Sequence, residues 1–215
     1  MRITKFGHAC VRIEHEGRAL VIDPGNQTGL DAVDGAQAVL LTHEHIDHCD
    51  PERLRASEAS IFTIATVAQQ LAAIAPDLTE RITVVAVGEE FGEEFEKQFA
   101  IRVVGELHAV IHPEFPRLSN SGYVVTAGGV ALFHPGDALT MPGQPVDVLC
   151  VPVSAPWLKA SEAIEFARAV GAPRNLAIHD RVYSEFGLGI IDGHFAKFLP
   201  PAGQEYARLA DGSDF

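Results

Sequence analysis

Short apolar runs alternate with glycines and charged residues along the N-terminal part of the chain, a pattern typical of β-strands joined by turns. The segments Arg2–Phe6, Ala9–Glu14 and Arg18–Asp23 are rich in valine, isoleucine or leucine, and Gly7 and Gly17 punctuate them. We therefore predict three strands in this region.

The next part of the chain carries continuous apolar runs followed by helical signals. Gln37–Thr42 and Ser60–Ala65 have the composition of strands that are buried on both faces. Asp50 can cap a short helix that Pro51 opens and that ends at Arg55, and a second helix is predicted over Thr66–Ile74.

The remaining segments repeat this order of strands followed by helices. The predicted strands are Ile82–Val87, a charged pair within Glu89–Phe99, Ile101–Leu107, a hairpin of Ser121–Thr126 with Val130–His134, Asp147–Pro152 and Asn175–His179. The predicted helices are Ser161–Val170, with Ser161 as its cap and Gly171 at its end, and Ile190–Leu199. Two groups of strands, each followed by helices, favour an α/β (α+β) fold. We expect a four-layer αββα sandwich in one domain spanning residues 1–215.

Composition and charge narrow the classes of function. The chain has 16 lysines and arginines against 29 aspartates and glutamates, a net charge of −13, which argues against nucleic acid and against an anionic membrane as partners. No run approaches the ~20 apolar residues of a membrane-spanning helix. Three cysteines without a C-x-x-C pair, and an N-terminus without the apolar run of a signal peptide, predict a cytoplasmic protein.

Candidate chemistry is concentrated directly after the apolar run that ends at Leu41. His43 and His45 are two residues apart, so in an extended segment their side chains point the same way and can bind one metal ion. Asp47 and His48 are adjacent, and a turn into the next helix could direct both at a second ion. Imidazole and carboxylate ligands together suit zinc, with manganese or iron as alternatives.

Single ligand-type residues at three later strand ends can complete this centre. They are His108, Asp137 and His179. We assign His108 to the ion of His43 and His45, and His179 to the ion of Asp47 and His48. Asp137 has two carboxylate oxygens and is predicted to bridge the two divalent ions.

The motif His43-x-His45-x-Asp47-His48 resembles the H-x-H-x-D-H signature of the metallo-β-lactamase superfamily. Four further segments resemble elements of that superfamily in the same order: Val21–Pro24, Leu107–Ala109, Phe133–Asp137 and Ile178–Asp180. The opening segment Phe6–Cys10 is similar to that of small stand-alone bacterial metal-dependent hydrolases related to the ascorbate-phosphate lactonases.

The resemblance implies the αββα fold and hydrolysis of an ester, lactone, amide or phosphoester bond in a small-molecule substrate. A metal-bridged hydroxide would attack, and Asp47 would orient it and carry its proton. One alternative is a redox diiron protein of the same fold, but such proteins resemble H-x-E-x-D where this chain has His45. A nuclease or phosphodiesterase is a further alternative, opposed by the charge.

Several residues near the motifs keep more than one interpretation. Asp23 either accepts a hydrogen bond from the motif loop or a ligating imidazole, or is a turn residue. His112 competes with His108 as the third histidine ligand, or lines the substrate cleft with Glu114. The loop of residues 108–120 is where substrate choice could reside. His8 and His134 either reach the cleft or pack at strand ends. Whether subunits pair as a homo-oligomer is left open.

Overall fold

Two seven-stranded sheets form the centre of the computed structural model, which describes residues 1–92, 95 and 98–215. In the first sheet, strands β1 to β3 are antiparallel and strands β3 to β6 are parallel, and a C-terminal strand pairs with β1. Its strands are β1 (Arg2–Lys5), β2 (Val11–His15), β3 (Arg18–Ile22), β4 (Ala38–Leu41), β5 (Ser60–Thr63), β6 (Ile82–Val84) and β14 (Ser213–Asp214).

The second sheet repeats the mixture of antiparallel and parallel pairing. Strands β7 to β10 are antiparallel, whereas β10 to β13 are parallel. Its strands are β7 (Glu90–Phe91), β8 (Ala100–Val104), β9 (Gly122–Ala127), β10 (Val130–His134), β11 (Val148–Pro152), β12 (Arg174–Ile178) and β13 (Glu205–Ala207).

Helices cover the outer face of each sheet. The α-helices are α1 (Pro51–Arg55), α2 (Ala65–Ile74), α3 (Ala160–Val170) and α4 (Glu185–Phe198), and short 3-10 turns occupy Leu30–Val33, Pro76–Arg81 and Pro200–Ala202. The side chains of each strand alternate between an inner and an outer apolar layer. One layer lies between the sheets, and the outer layers pack against α1 and α2 on one side and against α3 and α4 on the other. The predicted αββα sandwich is confirmed.

The two C-terminal helices begin earlier than the sequence predicted. Helix α3 begins at Ala160, and its cap is Lys159 instead of Ser161, because the Glu162 side chain accepts a hydrogen bond from the Lys159 amide. Helix α4 begins at Glu185 instead of Ile190, because the Ser184 hydroxyl caps it. Its first turns contain Gly187 and Gly189, and glycine has a low helix propensity.

The remaining expectations are met with ends shifted by one to three residues. Asp50 caps α1, Gly171 ends α3 in a left-handed conformation, and the hairpin of β9 and β10 forms. Only part of the predicted charged strand pair can be placed. Glu90–Phe91 pairs with β8, while residues 93, 94, 96 and 97 lie outside the described residues.

The parallel strands of both sheets bring their carboxyl ends to one edge of the sandwich, and direct bonds join the sheets there. The Tyr123 hydroxyl donates to the carbonyl of Leu41 at 2.8 Å, the amide of Ser121 to the carbonyl of Thr42 at 3.0 Å, and the amide of His179 to the carbonyl of His8 at 2.9 Å. These bonds fix the loops of the two sheets relative to each other.

Candidate metal centre

A tight turn directly after β4 carries the motif residues. The amides of His48 and Cys49 both donate to the His45 carbonyl, at 2.9 and 2.8 Å, so the chain reverses after His45. This turn lets the adjacent Asp47 and His48 face the same interior space. Gly25 permits the close packing of the preceding loop, because a Cβ at that position would lie 1.8 Å from the Asp47 carbonyl oxygen.

The first ligand group consists of His43, His45 and His108. His43 Nε2 and His45 Nδ1 lie 3.0 Å apart. The rings of His43 and His45 are centred 5.1 and 5.0 Å from the ring of His108, which follows β8 in the second sheet. One ligand atom of each residue and of Asp137 lies within 4.8 Å of the others.

The second ligand group consists of Asp47, His48 and His179. Asp47 Oδ2 lies 3.9 Å from His48 Nε2 and 3.7 Å from His179 Nε2. Within 4.8 Å of these atoms there is also a nitrogen of His8, from the turn between β1 and β2. The motif loop thus contributes residues to both groups.

Asp137 lies between the two groups and is almost completely buried. Its Oδ2 is 3.1 Å from His179 Nε2, 3.4 Å from His108 Nε2 and 3.9 Å from His43 Nε2. Its Oδ1 is 3.2 Å from His48 Nε2. The carboxylate therefore contacts histidines of both groups, as expected of a bridging ligand.

Hydrogen bonds to one ring nitrogen decide which nitrogen faces the centre. Nδ1 of His48 donates to Asp23 at 2.7 Å, Nδ1 of His108 to the Ala109 carbonyl at 2.6 Å, and Nδ1 of His179 to the Ser154 carbonyl. A histidine that donates from Nδ1 keeps an unprotonated Nε2, which is the form that binds a metal.

His43 follows the same rule through a hydroxyl. Its Nδ1 lies 3.0 Å from the hydroxyl oxygen of Thr42, and that hydroxyl donates to Asp23 at 2.6 Å. The oxygen therefore accepts from Nδ1, and Nε2 of His43 is unprotonated. Asp23 also accepts from the Thr42 amide at 2.8 Å, so it both anchors the motif loop and orients His48.

His8 has the opposite polarity from the candidate ligands. Its Nδ1 accepts a hydrogen bond from the Arg181 amide at 3.3 Å, which places the proton on Nε2. Nε2 then donates to Asp47 Oδ2 at 3.0 Å. His8 is thus a donor that positions the Asp47 carboxylate, although its nitrogen is close enough to the second group to be a ligand.

Burial and neighbouring charges act in opposite directions on the histidines. Burial, helped by the nearby His48, holds the pKa of His43 well below its usual value. Burial also opposes a charge on His48, but the carboxylates of Asp137 and Asp23 outweigh it and raise its pKa well above the usual value. Burial opposes a charge on Asp137 too, yet His48 and His179 hold the pKa of that carboxyl well below its usual range.

The buried atoms of the centre fit a divalent cation. Among the described residues, Nε2 of His48, Nε2 of His108 and Oδ1 of Asp137 are buried without a hydrogen-bond partner. His48 Nε2 and Asp137 Oδ1 are 3.2 Å apart, but without the geometry of a hydrogen bond. Buried polar atoms without partners are costly, and a shared cation would satisfy them.

Strained backbone conformations are concentrated at this edge. His8, Asp23 and His179 have φ angles of 45°, 50° and 57°, in the left-handed region that residues other than glycine seldom adopt. Such strain is typical of functional sites held by their surroundings. The sequence gives no sign of it, since none of these positions is a glycine.

Two further histidines of the sequence analysis lie outside the centre. His112 is exposed and lines a side cleft with His45 and His108. Its nitrogens belong to neither ligand group. His134 is buried. Its Nε2 donates to the Ala9 carbonyl at 2.8 Å and its Nδ1 accepts from the Gly136 amide, so it joins the two sheets.

Sequence reasoning assigned no contact to several residues that support the centre. The Trp157 indole donates to Asp137 Oδ2 at 3.1 Å, and its ring packs edge-on against His108 and His179. Lys5 and Asp180 form a fully buried ion pair at 3.0 Å, which ties β1 to the residue after His179. A lysine within an apolar strand was the one available signal.

Comparisons with known proteins agree with this fold. The family model of the β-lactamase superfamily domain matches residues 2–179. The chain is 37% identical to Protein Rv0786c of Mycobacterium tuberculosis over 92% of both chains. It is 29% identical to a UPF0173 metal-dependent hydrolase of Geobacillus thermodenitrificans over 94% of both chains.

A solved structure shows the same fold in a different setting. CmlA, a diiron β-hydroxylase of Streptomyces venezuelae, superposes with a TM-score of 0.75 at 16% identity, over 100% of this chain and 53% of CmlA. At that identity the likeness shows the fold alone.

The match of the family model over most of the chain identifies the class. The chain belongs to the metallo-β-lactamase superfamily. In the part of the chain that the structure describes, no helix is long and apolar enough to cross a membrane.

Proposed function

We propose that this protein is a hydrolase that uses two divalent metal ions to cleave an ester, lactone, amide or phosphoester bond of a small metabolite. The observation that carries the proposal is the set of unpartnered buried atoms, Nε2 of His48, Nε2 of His108 and Oδ1 of Asp137, which converge on one space. The name of the Geobacillus relative, a metal-dependent hydrolase, supports the reaction class.

The residues present would hold two ions side by side. The first ligand group would hold one ion, the second ligand group would hold the other, and Asp137 would contact both. Zinc suits this mixture of imidazole and carboxylate, with manganese or iron as alternatives. When bound, a metal pair supplies a water acidic enough to serve as a hydroxide nucleophile near neutral pH and an electrophile for the oxygen that gains charge.

The carboxylate of Asp47 is suited to orient the attacking water. Burial opposes its charge, but the hydrogen bond from His8 and the nearby His48 lower its pKa below the usual range, so it remains a hydrogen-bond acceptor. Its side chain is 29% exposed and therefore accessible to solvent. Asp47 would accept the proton of the water and pass it to the leaving group.

A second candidate function is that of a redox diiron protein. CmlA has the same fold and is a diiron β-hydroxylase. His45 argues against that alternative. It is an imidazole at the position where redox diiron proteins with the motif H-x-E-x-D have a carboxylate. Imidazole in place of carboxylate shifts the preference from iron towards zinc. A coloured iron centre in the purified protein would favour the diiron function.

The test is a substrate panel with zinc-loaded and manganese-loaded protein. Lactones, thioesters, phosphodiesters and β-lactams should include at least one class that is hydrolysed. Asp47→Ala and His45→Ala should abolish that turnover with the fold intact by circular dichroism. Glu44→Gln is the matched control, because Glu44 lies in the same turn but in neither ligand group. Full turnover in Asp47→Ala would refute the assignment.

A further inference from the structure

A cleft of about 600 Å³ opens beside the centre. Trp157, which donates to Asp137, forms part of its wall, and Ala138 and Ala109 continue directly from candidate ligands. The volume is in the range of small-molecule sites in proteins. This cleft is therefore the natural place for the part of the substrate that does not react.

One part of the cleft wall is apolar and accessible. Leu107, Val110 and Ile111 are 42%, 47% and 41% exposed, and Trp157, Leu139 and Leu158 extend the same surface. Apolar side chains held open in a concave site indicate a ligand that covers them. They predict an apolar segment in the substrate.

Arg117 is a cation at the same cleft, and none of the described residues is an acidic partner for it. Its Nε and one terminal nitrogen donate to the His108 carbonyl at 3.1 and 2.7 Å, which holds the guanidinium in place. No carboxylate of the described residues lies within 4.0 Å of it, and its other terminal nitrogen donates to none of their atoms. Lys159, which also lines the cleft, is instead paired with Glu162 at 3.0 Å.

An unpaired arginine is informative in a protein of charge −13. An anion approaching this surface is repelled on average, so a local cation that no carboxylate neutralises changes the balance. A fixed guanidinium with free N–H groups is also the side chain best suited to bind carboxylate or phosphate.

We propose that the substrate is a small amphipathic anion, with a carboxylate or phosphate group that binds Arg117 and an apolar segment that lies along Val110, Ile111 and Trp157. The proposal rests on the proposed function, since it identifies what the same centre hydrolyses. Because Arg117 holds the backbone of His108, whose imidazole faces the centre, the anionic group must lie within a side-chain length of the bond that is cleaved.

The first test measures binding without turnover. Trp157 is the only tryptophan, so its fluorescence reports ligands in this cleft. Glutarate, propyl phosphate and the neutral dimethyl glutarate are titrated into the zinc-loaded and the chelator-treated protein. Both anions should bind more tightly than the diester in both forms, and the tighter anion identifies the group that the site prefers.

Variants distinguish the effect of the Arg117 charge from that of its hydrogen bonds to the His108 carbonyl. Arg117→Gln keeps an N–H donor for the His108 carbonyl and removes the charge, and should weaken anion binding about 10- to 100-fold, the usual worth of a charged hydrogen bond. Arg117→Lys keeps the charge and should recover part of that loss. Lys197→Ala, which removes a positive charge from α4 outside the cleft, should bind the anions like the wild type.

The second test compares 4-nitrophenyl butyrate with the mono-4-nitrophenyl ester of glutarate. The anionic ester should have the lower KM, and Arg117→Gln should remove that advantage. Equal binding of both anions by Arg117→Gln and the wild type would overturn the anion proposal even if hydrolysis is found. Loss of anion binding in Arg117→Gln without any hydrolysis would instead support the anion site and count against the hydrolase.

Discussion

The two ligand groups differ in what holds their residues. In the first group, His43 is oriented by the Thr42 hydroxyl and His108 by the Ala109 carbonyl, both neutral acceptors. In the second group, His48 is oriented by the Asp23 carboxylate, and the ligand Asp47 is itself charged and positioned by His8. The cleft and Arg117 adjoin the first group.

This difference suggests that the two ligand groups have different roles. A carboxylate behind a ligating imidazole raises its basicity, and the second group also has the greater negative charge. We therefore expect the second group to hold its ion more tightly. The first group, with neutral support and an adjoining cleft, is better placed to contact the substrate.

The largest effect should follow from Asp137→Asn, because Asp137 contacts both groups. Losing this charge should weaken both ions by more than the ~10- to 100-fold typical of a supporting residue, and hydrolysis should fall below detection. Metal content after dialysis and turnover measure the effect. Asp77→Asn, on the surface in an ion pair with Arg55, is the control and should keep both ions. Two retained ions would show that Asp137 is no shared ligand.

The candidate ligands differ in how directly the sequence predicts them. His43 to His48 lie in one turn, so local spacing predicts them. His108, Asp137 and His179 were predictable as candidates, since parallel strands bring their carboxyl ends to one edge. Their division between two ions stays a prediction.

Contacts between distant parts of the chain could not be predicted. The proton position on His8 is set by the Arg181 amide, 173 residues away in sequence. Trp157 reaches Asp137 across 20 residues and Arg117 reaches His108 across 9, through loops whose paths no periodic pattern specifies. Side-chain polarity and support therefore required the structure, whereas the ligand types did not.

The second prediction tests the difference between the groups. Asp23→Asn removes the carboxylate that accepts directly from His48, so one of two zinc ions should bind about 10- to 100-fold more weakly. The other ion should be weakened less, because Asp23 reaches His43 only through the Thr42 hydroxyl. Competition titration with a chromophoric chelator resolves the two steps. Asp34→Asn, a surface change with the same loss of charge, is the control. Equal weakening of both ions in Asp23→Asn would mean that the groups are not supported separately.

The smallest effect is a pH dependence that belongs to the second group. The pKa of His48 is raised by Asp137 and Asp23, so in the chelator-treated protein its charge stabilises the fold below about pH 6.5, the unfolded value. That stability is lost as the pH rises through the raised pKa. Metal binding requires the neutral ring, so affinity should rise with pH by at most about tenfold per unit.

The difference in Tm between zinc-loaded and chelator-treated protein should consequently grow with pH until the pH passes the raised pKa of His48, with a proton released on binding. In Asp23→Asn His48 loses one of the carboxylates that raise its pKa, so the growth should level off at a lower pH. Thermal melts across pH and proton release in weakly buffered solution measure both effects. A Tm difference independent of pH in the wild type would show that His48 does not carry the proton that the metal displaces.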